Sequence, residues 1–193
     1  MDKKEHVLIC VMAESAAGKD RLVSEICNRN NYKQLISYTT RPRRVNEGDT
    51  HVFVDEETYR QMKKNNEIAA YTYINGYHYW STIEQLYQAD FYVIDPHGVE
   101  SLKALSLPNL LITTVYINVP EEVRKERAKS RGDDMMVYRS RCISEREQFR
   151  NMKKNMDVEH VISNMDFAEA YSLLKWFANV KGIWKNYMED ATR

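Results

Sequence analysis

The stretch AESAAGKD, Ala13 to Asp20, holds the residues best suited to chemistry. It follows the apolar run VLICVM and precedes RLVSEIC, whose apolar spacing predicts a helix over Asp20 to Arg29. Strand, small-residue loop, lysine and helix make the setting of a phosphate-binding loop. Such a loop works because small residues let backbone N–H groups and a helix N-terminus close on an anion. Ser15, Ala16, Ala17 and Gly18 are all small, and Lys19 supplies a point charge for β- and γ-phosphates. Two positions depart from G-x-x-x-x-G-K-[ST]: Ala13 stands for glycine, and Asp20 for the hydroxyl that ligates magnesium. A carboxylate is also a hard oxygen ligand, so a metal role survives at Asp20. A plain strand-to-helix turn with a chance Gly-Lys is the alternative this octapeptide leaves open.

A second group follows in SYTTRPRR, where Arg41 and Arg44 stand close enough to fork onto one phosphate. A solvated pair of charges is the other reading of two nearby arginines. Asp95 ends the apolar run FYVID, where it can hold magnesium through water, orient Lys19 or cap the helix beginning near Gly98.

These residues need a scaffold, and the hydrophobic pattern supplies one. VLICVM, FYVID, LLITTVYINV and HVIS read as buried parallel strands. Helices are expected from Ser81, as a cap, through Leu86, then over Glu121 to Arg131 and Tyr138 to Lys154. A last helix, capped by Asn164 or Asp166, is expected to bury Leu173, Leu174, Trp176 and Phe177. Trp184 is assigned to the packing of the same helix. Alternating strands and helices imply an α/β fold with a parallel sheet covered on both faces, and ligands at the strands' carboxyl ends. Between Tyr32 and Trp80 the pattern changes to short β pieces, QLISYTT, THVFV, IAAYTYI and YHYW, around a polar helix from Glu56 to Asn65. This reads as a small mixed subdomain inserted into the larger fold.

The bulk numbers limit function. At 193 residues the chain fits one domain, and 43% hydrophobic with 29% charged residues is ordinary for a globular protein. Lys plus Arg and Asp plus Glu both total 28, so there is no basic excess of the kind a general nucleic-acid binder shows. The apolar runs are too short to span a bilayer. Three cysteines, Cys10, Cys27 and Cys142, lack metal spacing, and without a signal-peptide pattern they lead us to expect the reducing cytoplasm.

Several blocks, in order, resemble the guanylate kinase family. SYTTRPRRVNEGDTHVFV is similar to S-x-T-T-R-x-x-R followed by G-x-x-Y/H-x-F-V. EIAAYTYINGYHYWS resembles E-F-x-E-x-x-x-x-x-G-x-x-Y-G-[ST], and FYVIDPHGVESLK resembles L-D-I-D-x-x-G. VYINVPEEVRKERAKSRGDD resembles I-F-I-x-P-x-S…L-x-x-R-L-x-x-R-G-x-[DE], and HVISN resembles V-I-x-N. The chain is thereby identified as a divergent member of this family of P-loop nucleoside monophosphate kinases. The resemblance implies a P-loop NTPase-type sheet (core 1–36, 82–126 and 142–193), a monophosphate-binding insert at 37–81 and a lid at 127–141. It implies phosphoryl transfer from ATP, with Mg2+, to GMP, in the cytoplasm, with a homodimer left open.

It also implies roles. Ser15 to Asp20 would hold the ATP phosphates. Ser37, Arg41, Arg44, His51, Tyr79 and Ser81 would hold the acceptor monophosphate, and Lys19, Arg127, Arg131 and Arg141 would be catalytic. Arg139 competes with Arg141 for one of these places. Asn164 falls near the adenine end of ATP, and Asp20 and Asp95 at the metal. The guanine reader departs from the pattern. Ala70 replaces its glutamate, Val93 the first aspartate of D-I-D, and Trp80 the glycine of Y-G-[ST]. Glu67 falls on the opposite face of an alternating strand from Ala70. Alternatives therefore stay open: a kinase for another nucleoside monophosphate, deoxy or modified, a sugar-phosphate kinase, or a non-catalytic binding module of the same fold.

Overall fold

The computed structural model describes residues 5–43, 51–155 and 158–191, leaving aside side chains from 182 onward. In chain order the elements are β1 (His6–Met12), α1 (Lys19–Asn30), β2 (Gln34–Leu35), β3 (Tyr38–Thr39) and β4 (Val52–Phe53). Then come α2 (Glu56–Lys64), β5 (Ile68–Ile74), β6 (Tyr77–Thr82), α3 (Ile83–Gln88), β7 (Phe91–Val93) and α4 (Pro96–Ala104). The chain continues through β8 (Leu110–Asn118), α5 (Glu121–Ser130), α6 (Met135–Asn155), β9 (His160–Ser163) and α7 (Phe167–Ala191).

A five-stranded parallel sheet in the order β2-β7-β1-β8-β9 forms the centre. Every residue of β1 from Val7 to Met12 is buried, because both sheet faces are covered. Val7, Ile9 and Val11 pack with Leu22, Val23 and Ile26 of α1 and Leu174 and Phe177 of α7. Leu8, Cys10 and Met12 point the other way, toward Leu86 of α3, Leu102 of α4 and Phe149 of α6. Burial pushes the Cys10 thiol up to about 12, so it acts as a small apolar core residue. No helix among the described residues is long and apolar enough to cross a membrane.

The second sheet, β4-β3-β6-β5, has two working faces. Pairing of Tyr38 with Trp80 and of Thr39 with Tyr79 fixes which side chains share a face. One face carries an aromatic core: Trp80 stacks on Tyr38 at 5.5 Å, and Tyr59 of α2 stacks on His78 at 3.8 Å. The opposite face carries Ser37, His51, Phe53 and Tyr79. Trp80 is fully buried under α2, with Tyr59 5.1 Å away. Its bulk therefore lies across the sheet from Tyr79. Opposite Trp80 the register slips between Ala69 and Thr72, and Ala70 takes φ 47 inside this bulge.

Four details correct the sequence reading. The cap of α3 is Thr82, which forms a reciprocal capping box with Gln85, and Ser81 lies inside β6. The strand predicted over FYVID ends at Val93. Helix α6 begins at Met135, earlier than Tyr138, because Asp134 accepts from the N–H groups of Met136 and Val137. Leu173 and Trp176, expected in the core, are 38% and 57% exposed, while Leu174 and Phe177 alone of that set are buried. The side chain of Trp184 lies outside the described residues.

The facing of Trp80 makes a prediction. Trp80→Ala should destabilise the fold by about 3–5 kcal/mol, a fall in melting temperature of roughly 10 °C. Scanning calorimetry on the purified variant would show it.

Candidate active site

The loop between β1 and α1 turns because two of its residues leave the right-handed region. Ala16 has φ 64 and Gly18 has φ 87. Glycine takes such angles freely, whereas alanine gives up about 1–2 kcal/mol. Helix α1 starts at Lys19 without a side-chain cap. Among the described residues, no backbone carbonyl accepts from the N–H groups of Ala16, Gly18, Lys19 or Asp20. Those donors, at the positive end of the helix, form a nest ready for an anion.

The loop's carbonyls point away from that nest and are held from behind. The buried Arg124 of α5 donates Nη1 to Ser15 O at 3.3 Å and Nε to Val119 O at 3.1 Å. Arg127 donates to Ala17 O at 3.4 Å and to Asn164 O at 2.7 Å. Asn164 Nδ2 donates to Ala17 O at 2.7 Å. The cap of α7 is Asp166, which accepts from the Glu169 N–H, so the capping alternative for Asn164 falls away. Asn164 is 3% exposed, and its Oδ1 has no protein partner.

Glu14, next in the loop, is part of the same scaffold. Its carboxylate accepts from the Tyr116 hydroxyl and from Lys153 Nζ at 3.0 Å, and lies 3.6 Å from Arg124 Nη2. Burial, then the bond to Glu14, raises the Tyr116 phenol above its usual range, so it stays a neutral donor. Sequence reading passed over Glu14, Arg124, Tyr116 and Lys153. The loop pattern leaves position 14 open, so nothing in the sequence singles Glu14 out.

Lys19 Nζ lies 3.6 Å from the exposed carboxylate of Asp20. No cluster of three or more metal-ligating side chains occurs among the described residues. Mg2+ keeps most of its waters and uses one or two carboxylates together with substrate phosphates. Asp20 beside the free N–H groups fits that demand. Asp95 caps α4 by accepting from the Gly98 N–H at 3.1 Å.

Across a cleft of about 390 Å3 lined by Asp20, Asn28, Ser37, His51 and Val93 lies the second cluster. Arg41 is 7% exposed, and its Nε donates to the Tyr79 hydroxyl at 3.1 Å. The Ser37 hydroxyl and His51 Nδ1 are 2.9 Å apart. The Arg41 guanidinium sits 5.4 Å from the Phe53 ring centroid. Arg44 lies outside the described residues. Ser81 is fully buried and donates to Ala69 O at 3.3 Å, so the structure does not bring its hydroxyl to the cleft surface. Glu67 is exposed and accepts from Asn65 in the turn before β5. Arg131 pairs with Asp133 at the α5–α6 turn, and Arg139 is exposed on the first turns of α6, with Arg141 half-buried after it.

A family model described as guanylate kinase matches residues 5–180. The chain belongs to the guanylate kinase family. With that family it is a nucleoside monophosphate kinase. It is 26% identical over 182 residues to a guanylate kinase of Geobacter metallireducens, covering 90% of this chain and 88% of that protein. It is 31% identical over 170 residues to a guanylate kinase of Aromatoleum aromaticum, covering 82% and 80%. The crystal structure of guanylate kinase from Anaplasma phagocytophilum shares the fold, with a TM-score of 0.66 at 19% identity over 94% of this chain and 88% of that one.

Gly18 tests the loop. A Cβ there would meet Asn164 Nδ2 at 2.9 Å on a backbone of φ 87. Gly18→Ala should weaken ATP binding at least about tenfold in titration calorimetry, the equivalent of about 1.4 kcal/mol, while the protein stays folded.

Proposed function

We propose that this chain transfers the terminal phosphoryl group of ATP to a nucleoside monophosphate, with GMP the favoured acceptor. The observation that carries the reading is a pair of facing anion sites. Asp20, beside the uncommitted N–H groups and Lys19, lines one side of the cleft, and Ser37 and His51 line the other, on the sheet face that carries Tyr79 and its bond to the buried Arg41. An acceptor phosphate oxygen attacks the γ-phosphorus, the bond to the bridging oxygen breaks, and ADP leaves with the electron pair. Such transfer asks the protein for alignment and for cancelling charge.

In this reading Ser15 to Asp20 hold the β- and γ-phosphates, with Lys19 following the charge. Arg41, together with Arg44, forks onto the acceptor phosphate, and Tyr79, Ser37 and His51 orient it. Residues 37–81 act as the acceptor-binding insert and 127–141 as the lid, whose Arg131 and Arg141 close on the moving group. Arg127, bonded to Ala17 O and Asn164 O, acts by shaping the loop. Asn164 Oδ1, buried and unpaired, is the acceptor left for the nucleotide's adenosine end. Mg2+ would be held by Asp20 and the phosphates, and it would neutralise charge on the transferring group.

A second reading, a kinase for another base, is favoured by the cleft itself. Val93 lines it, and Ala70 is buried in the bulge, so neither pattern position offers a carboxylate to guanine's N–H donors. A site that loses such hydrogen bonds loses discrimination.

The test is a coupled ADP-release assay with ATP and Mg2+ against GMP, dGMP, AMP, CMP, UMP, dTMP and dUMP. GMP should give the highest kcat/KM. A clear preference for another acceptor establishes the second reading, and no turnover with any acceptor refutes both. Lys19→Ala should abolish turnover. Arg41→Ala should raise the acceptor KM or lower kcat, about tenfold or more, with ATP binding nearly intact.

A further inference from the structure

The phosphate loop already holds an anion, and it belongs to the protein. Glu145 of α6 reaches back so that its Oε2 accepts from the Ser15 N–H at 2.8 Å and its Oε1 from the Ser15 hydroxyl at 2.7 Å. Both oxygens are thus engaged by one residue of the loop, in the bidentate way a phosphate would use those donors.

Position along the loop decides what this carboxylate competes with. The uncommitted N–H groups of Gly18, Lys19 and Asp20 lie at the start of α1, where the α- and β-phosphates are cradled. Ser15 lies at the opposite, upstream end of the loop, three residues before Gly18. The group that extends to Ser15 is therefore the terminal phosphate of a triphosphate. A diphosphate ends short of it.

Glu145 also has somewhere to go. It borders a cavity of about 330 Å3 between the loop and α6, lined by the cations Arg124, Arg146, Arg150 and Lys153 and by Glu14, Glu121 and Cys142. Arg146 and Arg150 have no ion-pair partner among the described residues. Both line the same cavity as Glu145.

We propose that Glu145 is a specificity-determining residue of the nucleotide site, which penalises triphosphate relative to diphosphate by occupying the terminal-phosphate end of the loop. ADP binds with Glu145 in place, whereas ATP must displace it into the Arg146 and Arg150 cavity. The proposal rests on the phosphate-loop reading above.

The test uses the full chain and two nucleotides, ADP and a non-hydrolysable ATP analogue, each with Mg2+. Dissociation constants are measured for the unaltered protein, Glu145→Gln and Glu145→Ala. Removing two charge-assisted bonds from the competitor should tighten the ATP analogue about tenfold or more in Glu145→Ala, with ADP within about twofold. Glu145→Gln, which keeps the shape without the charge, should fall between. Equal shifts for both nucleotides, no shift, or weaker analogue binding would overturn the proposal while leaving the phosphate loop intact. Failure of the unaltered protein to bind either nucleotide would overturn the loop reading and this proposal together.

Discussion

The site depends on two backbone carbonyls being held from the wrong side for a ligand and the right side for a loop. Ser15 O is fixed by Arg124, and Ala17 O by Arg127 and Asn164. With the carbonyls drawn outward, the intervening N–H groups turn inward. The geometry would relax without these bonds, since Ala16 occupies a left-handed conformation costing about 1–2 kcal/mol. Glycine elsewhere in such loops avoids that cost. Here side chains from α5 and the end of β9 offset it. Arg124 is buried beside Glu14, and a buried charge is tolerable only when paired and hydrogen-bonded. The same pair that satisfies Arg124 therefore fixes the loop.

The second sheet solves a different problem, exposing a polar face while holding itself together. Its two faces divide the work. Tyr38, His78 and Trp80 pack beneath Tyr59 of α2, while Ser37 and His51 meet the cleft, with Tyr79 and its partner Arg41 beside them. Alternation along β6 puts Tyr79 and Trp80 on opposite sides, so a large residue at Trp80 strengthens the core without closing the cleft. Ala70 is another matter. It is buried inside the bulge opposite Trp80.

Local chemistry was readable from the sequence, and long-range pairing was not. The strand, loop and helix around Lys19 follow from apolar runs flanking small residues, and so does the parallel class of four of the five strands; Gln34–Leu35, read as part of the insert, joins the central sheet beside β7. Asn164 was noticed, but its partner Ala17 O is a tertiary contact that no spacing reveals. Glu14 with Arg124 and Ser15 with Glu145 join residues more than a hundred positions apart. Trp176 fits the apolar stripe of α7, yet only the neighbouring sheet decides which part of that stripe is covered. The side of the sheet taken by Trp80 needed the register of β3 on β6.

The central claim is that carbonyls held from behind make this loop a nucleotide site. ATP affinity in Arg124→Met tests it most directly, because methionine keeps apolar bulk while releasing Ser15 O and Glu14. In a variant that still melts cooperatively, the account predicts ATP binding weaker by about tenfold or more, with the acceptor KM unchanged. Unchanged ATP affinity would contradict it.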